Sequence, residues 1–163
     1  MLNVGQSPLS YVFKNVLVAV ASVREPDTGQ KQEVLESARQ KIIDLACELA
    51  VALKARMTFI HVVTLPAVVE PGFPMDPTPF QQAGERVLER TKNMAKEKGV
   101  EADTILETTF GNAAQKILKV AEEKQFDLII VGARGQSRLR NLLVGSVCDS
   151  VFRMAKVPVL VVR

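Results

Sequence analysis

The chain has 163 residues, of which 47% are hydrophobic and 24% charged, and it carries a net charge of +3. That suits one compact domain with a single core, expected over 1–163 with its main body at 14–163. No apolar run approaches the ~20 residues of a membrane span. The charge is too mild, with no Trp and a single Tyr, for a nucleic-acid surface. The opening MLNVGQSPLSYVF lacks the basic and apolar regions of a signal peptide, so a cytoplasmic protein is expected. Cys47 and Cys148 stand in no metal-ligand or redox spacing, and His61 is the only histidine, which argues against a histidine-built metal site. Cys47 falls among apolar helix positions and reads as a small core residue.

Strand-like and helix-like segments alternate along the chain, the pattern of a parallel sheet covered by helices. NVLVAVAS at 15–22 reads as a strand buried on both faces. A helix is predicted over 31–55, with Val34, Leu35, Ala38, Ile42, Leu45, Ala46, Leu49 and Leu53 at helical period. MTFIHVV at 57–63 is a second buried strand. A second helix covers 79–98, opened by Pro79 and closed by Gly99, with Phe80, Ala83, Val87, Leu88, Met94 and Ala95 facing the sheet.

ADTILET at 102–108 is less apolar and suits a sheet edge. Asn112 caps a helix over 113–124, with Gln115 completing a capping box. The fourth strand is 127–132, and the fourth helix about 146–155, with Val147, Val151, Met154 and Ala155 inward. The chain closes on a strand over 157–162. Right-handed crossovers then give a doubly wound, five-stranded α/β sheet of order 3-2-1-4-5, with its crevice at Ala21, Val63 and Gly132. Two insertions, 23–31 and the proline-rich 64–79, adjoin that crevice. The second reads equally as a lid or docking loop and as a surface excursion.

DLIIVGARGQSRLRNLLVGS at 127–146 is the most informative stretch. A buried strand runs into Gly132, followed by Gly135 and, after nine residues, by Gly145-Ser146 at a helix start. Glycines at a strand exit let backbone approach a ligand, and a helix start offers free N–H groups and a positive dipole end. Neither a Walker A loop nor a dinucleotide fingerprint fits this spacing. Ordinary turn glycines are the alternative; three glycines and a serine in this context favour a phosphate site.

With Gly132-x2-Gly135-x9-Gly145-Ser146, NVLVAV, FIHVV, Gly111 before the third helix, and the closing PVLVVR in hand, the chain resembles the universal stress protein family. The resemblance runs from Lys14 to Arg163. It implies an adenine nucleotide-binding α/β fold, a homodimer and a role in stress tolerance. Carried over to this sequence, Gly132, Gly135, Gly145 and Ser146 would wrap ribose and phosphates. Val131, Val147 and Cys148 match neighbouring positions, Val62 an adenine contact, and Ala19 and Ala21 two contacts of the first strand. Ala21 departs from the family's usual Asp, and its missing charge-assisted hydrogen bond removes about 1.5–3 kcal/mol of binding. Cys148 stands where a hydroxyl is common.

Arg134, Arg138 and Arg140 cluster between the glycines. Arg134 is the best placed to meet phosphate oxygens; Arg138 and Arg140 read equally as a solvated loop. Ser146-x-x-Asp149 reads as a capping box rather than a metal site. His61 reads as a satisfied, partly buried histidine, able to donate toward the crevice. No general base stands in the motif, so any hydrolysis is slow. The expected ligand is ATP, ADP or AMP, with accompanying Mg²⁺ left open. The alternative is an interaction module that has lost the nucleotide, with Ala21 as its mark. The apolar strand 157–162 is expected to pair with its own copy in a homodimer. A protein partner remains unspecified; nucleic acid and membrane are not expected.

Overall fold

In the computed structural model the described residues are 13–21, 30–66, 76–133 and 145–163. In chain order they form β1 (Asn15–Ala19), α1 (Gln30–Leu53), β2 (Arg56–Thr64), α2 (Thr78–Glu97), β3 (Ala102–Thr109), α3 (Ala113–Glu123), β4 (Leu128–Gly132), α4 (Ser146–Met154) and β5 (Val159–Val162). The sheet has five strands in the order β3-β2-β1-β4-β5, and every pairing is parallel. The expected α/β architecture and strand order are both present. Most of the insertion at 23–31, and residues 67–75 of the one at 64–79, lie outside the described residues.

Alternation along the central strand divides the core in two. Val16, Val18 and Val20 point to one face, packed with Ile43, Ala46 and Cys47 of α1 and Leu88 and Ala95 of α2. Leu17 and Ala19 point to the other, packed with Ile117 and Val120 of α3 and Cys148 and Val151 of α4. At the foot of the sheet, Lys14 and Asn15 N–H groups donate to the Asp127 carboxylate at 2.8 and 3.0 Å. Asp127 thus satisfies the start of β1 instead of extending β4, which begins one residue later than predicted.

The predicted helix faces need three corrections. In α1, Ile43, Cys47 and Ala50 are buried while Ala38, Leu45, Leu49 and Leu53 are only half-buried: the stripe that meets the sheet is rotated from the predicted one. In α2, Phe80 and Ala83 are exposed, and Gly84, Leu88, Thr91 and Ala95 are buried instead. Close approach explains that rotation. A Cβ at Gly84 would lie 2.6 Å from Leu106 Cδ1, 2.9 Å from Val63 Cγ2 and 3.0 Å from His61 Cδ2. In α4, Met154 is 47% exposed rather than inward, because Cys148 and Val151 set the buried face of this short helix.

The fit at Gly84 gives the first prediction. Gly84→Val inserts bulk against the branched Val63 side chain and a ring, neither of which can simply swing away. It should destabilise the protein by about 1–3 kcal/mol, since overpacking strains both neighbours. Urea denaturation checks this, and unchanged stability would show that α2 is free to lift from the sheet.

Candidate functional site

The carboxyl ends of β1, β2 and β4 meet at one level. Ala19 pairs with Ile60 on one side and with Val131 on the other, so the exits of three strands stand side by side. Ala19 and Val131 are buried, and Val62 and Gly132 are half-buried one step further along. Ala19, Val62, Val131, Val147 and Cys148 all belong to the face covered by α3 and α4. Ala21 is exposed beyond the end of β1.

Beyond β4 the chain leaves the sheet and comes back to it. Ala133 N–H donates to the Val162 carbonyl at 2.7 Å, and Gly145 N–H donates to the Ala133 carbonyl at 2.7 Å. The second bond holds the start of α4 against the exit of β4. Gly132, Gly145 and Ser146 are therefore neighbours despite their separation in sequence. Arg134, Gly135, Arg138 and Arg140 lie outside the described residues.

Gly145 is the N-cap of α4, with φ −69° and ψ 155° and no side-chain cap. Any residue adopts that backbone, so what glycine provides here is space. Ser146 is already helical and exposed. The N–H groups of the first turn face outward from the helix end, as an anion pocket requires. By contrast α3 is closed by its own sequence: Asn112 is the predicted cap, its side chain accepting from Ala114 N–H at 2.8 Å rather than from Gln115 as a capping box would have it.

Two expectations at this end are corrected. Ser146 and Asp149 do not form a capping box, because the N-cap is Gly145, one residue earlier, and Ser146 is already in the first turn. The Asp149 carboxylate takes both oxygens to Arg153 Nε, at 3.0 and 2.9 Å, one turn further on. His61 does not reach the crevice. Its ring lies beside Gly84 on the α2 side of the sheet, and its Nδ1 donates to the Val20 carbonyl at 2.8 Å.

Cys148 is buried in the α3/α4 core, and burial pushes its thiol above the ordinary range. Its side chain is a packing element, and its backbone N–H is what it can offer to an anion.

Sequence reasoning missed Arg39. This α1 residue is 6% exposed. Its Nη2 donates to the Ala21 carbonyl at 3.2 Å, and its Nη1 contacts Glu36 at 3.3 Å. Glu36 also meets Arg90 of α2 at 3.2 Å. The signal was available: Arg39 stands at helical spacing from Ile42 and Ile43, on the apolar stripe of α1. Arg39 and His61 together hold two successive carbonyls, those of Ala21 and Val20, from behind the sheet. They fix the direction in which β1 leaves it.

The sheet order defines a doubly wound α/β protein with its crevice at the strand exits, and comparison with known proteins names the group. The chain belongs to the universal stress protein family, which it matches over residues 13–163. Universal stress protein YxiE of Bacillus subtilis is 36% identical over 136 residues, 76% of this chain and 89% of YxiE. A universal stress protein from Archaeoglobus fulgidus shares the fold at TM-score 0.69 and 20% identity, over 93% of this chain and 100% of that one. The structure of the Archaeoglobus fulgidus protein in complex with dAMP matches at 0.65 and 18% identity, over 93% and 99% of the two chains. A family protein from Arabidopsis thaliana with AMP bound matches at 0.56 and 20% identity, over 91% and 90%.

The buried histidine makes stability depend on pH. Burial holds the His61 imidazole below its usual range, with Arg39 adding to that and the Val20 bond opposing it. The unfolded chain, with an ordinary histidine pKa of about 6.5, therefore takes up the proton first as pH falls. This contribution to stability is present above about pH 6.5 and is lost on acidification below it. Urea denaturation at about pH 7 and about pH 5.5 should show a loss that is smaller in His61→Gln. Equal losses in the two proteins would contradict it.

Proposed function

We propose that this protein is a stress-response regulator that binds an adenine nucleotide, ATP, ADP or AMP, at the exits of β1, β2 and β4. The observation that carries the reading is the Gly145 N–H to Ala133 carbonyl bond. It presents an uncapped helix start directly beside the Gly132 strand exit, where a phosphate gains N–H donors and the helix dipole. The related structures with dAMP and AMP support the same ligand class. In this reading Gly132, Gly135, Gly145, Ser146 and Arg134 hold phosphates and ribose. Ala19, Val62, Val131 and Val147 form the apolar floor.

Ala21 contributes no carboxylate, so affinity is lower than a family member with Asp there would show. Among the described residues no group of three or more His, Cys, Asp or Glu is arranged to hold a metal ion. Any Mg²⁺ would accompany the phosphates. The described part of the crevice presents no general base, so hydrolysis is slow or absent. Among the described residues no helix is long and apolar enough to cross a membrane.

Calorimetry with ATP, ADP and AMP tests the assignment. The wild type should bind at least one of them, and Gly145→Val should abolish binding while keeping its circular dichroism spectrum. Equal affinity in a folded Gly145→Val protein would sink the phosphate site and favour the nucleotide-free interaction module.

We also propose a homodimer through 157–162. β5 is a sheet edge, and the Pro158 and Val162 carbonyls accept from Ile129 and Ala133 across the β4 side. Alternate residues of a parallel strand address opposite neighbours, so Val159 and Val161 turn their N–H and carbonyl groups to the free edge. Val161→Pro removes one such donor without touching the bonds to β4. Light scattering should find a wild-type dimer and a monomeric variant; a wild-type monomer at micromolar concentration would refute the dimer.

A further inference from the structure

Among the described residues Arg39 is the only lysine, arginine, aspartate or glutamate found buried. Neither of its partners requires it. The Glu36 side chain is 26% exposed and has Arg90 Nη1 at 3.2 Å. Ala21, whose carbonyl accepts from Arg39 Nη2 at 3.2 Å, is exposed. Water can serve both. Burial meanwhile holds the guanidinium below its ordinary pKa, with Glu36 opposing that and Arg90 adding to it. A buried cation whose partners are open to solvent costs stability more than it returns. Stability alone therefore does not account for a guanidinium here.

The end of β1 supplies a reason. Its ladder to β2 closes with Val20 N–H on the Ile60 carbonyl at 2.9 Å. The next two carbonyls leave the ladder for side chains: that of Val20 accepts from His61 Nδ1 at 2.8 Å, and that of Ala21 from Arg39. Both donors stand on the α1/α2 side, His61 beside Gly84 of α2 and Arg39 on α1 itself. In a planar trans peptide the C=O and the following N–H point in opposite directions. With the Val20 carbonyl drawn to that side, the Ala21 N–H turns away from it, toward β4 and the crevice. Alternation along a parallel strand gives the same direction, since Val20 addresses β2 and Ala21 therefore addresses β4. Among the described residues no acceptor meets that N–H.

We propose that Arg39 is a positioning residue for the nucleotide. From behind the sheet it locks the Ala21 carbonyl, and so keeps a free main-chain donor aimed into the crevice beside a side chain that offers none. This rests on the nucleotide reading above and adds to it a residue that never touches the ligand. Glu36 sets the guanidinium: its carboxylate meets Nη1 at 3.3 Å, which leaves Nη2 for the carbonyl. Arg90 ties that carboxylate to α2. His61 fixes the peptide that enters Ala21 and Arg39 the carbonyl that leaves it, so Ala21 is held at both ends. A donor held in place before the ligand arrives costs no ordering on binding.

The test sets affinity against stability, with calorimetry using ATP, ADP and AMP and urea denaturation on the same full-length proteins. Arg39→Met fills a similar volume without the charge or the donor. Each nucleotide that the wild type binds should bind Arg39→Met about tenfold more weakly, the scale of one hydrogen bond. Its urea midpoint should equal or exceed that of the wild type, because a buried charge is gone and nothing buried is stranded. Arg39→Lys, which restores a cationic donor, should recover most of the affinity. A purely structural arginine gives the reverse: the midpoint of Arg39→Met falls, and the affinity of the folded protein stays. That outcome, an Arg39→Met chain that does not fold, or Arg39→Lys binding no better than Arg39→Met overturns the assignment while leaving nucleotide binding intact. A wild type that binds none of the three nucleotides overturns the nucleotide reading itself, and this inference with it.

Discussion

The parallel register of β1 with its two neighbours is the constraint on which the rest depends. Ala19 stands level with Ile60 and Val131, so three strand exits open at one height. In a parallel sheet each carboxyl end then leaves its last groups to be satisfied by whatever comes next. Here the backbone does part of that work itself: Val20 N–H reaches Ile60 at 2.9 Å, Ala133 reaches Val162, and Gly145 reaches Ala133. A shift of one residue in β1 would exchange its faces, placing Val18 and Val20 under α3 and α4 and closing the floor that small Ala19 leaves open.

The two faces of the sheet divide the labour. The α1/α2 face is a buttress, where Arg39 and His61 hold the carbonyls at the end of β1 and Gly84 lets α2 lie close. A buried guanidinium is costly, and burial lowers the pKa of Arg39 even with Glu36 beside it. Its hydrogen bonds offset that cost only while β1 leaves the sheet in this direction. The α3/α4 face carries the floor of the crevice and the uncapped start of α4. Function on one face therefore leans on polar packing on the other.

Much of this was legible in the sequence, for physical reasons. Continuous β-branched runs identify strands buried on both faces, so the strand order and the edge positions of β3 and β5 followed from the alternating pattern. Asn112 announced its cap, and Gly99, at φ +75°, its helix end. The helix faces were less legible. Hydrophobicity placed Phe80 and Ala83 against the sheet, whereas closeness of approach selected Gly84, a residue with no side chain to signal its burial. The same holds for Asp149: its spacing fits both a cap and an i,i+4 pair, and the choice depends on whether the N-cap is Gly145 or Ser146. Arg39 escaped because it acts through a partner distant in sequence, the Ala21 carbonyl.

The central claim is a nucleotide held on the α3/α4 side of three aligned strand exits. Backbone amide hydrogen exchange with and without AMP measures it most directly, because it reports which N–H groups the ligand covers. The account predicts slowed exchange at Ala19–Ala21, Gly132–Ala133 and Gly145–Cys148, with little change in the α1 and α2 residues behind the sheet. Protection absent from these segments, or concentrated on the α1/α2 face, would contradict it.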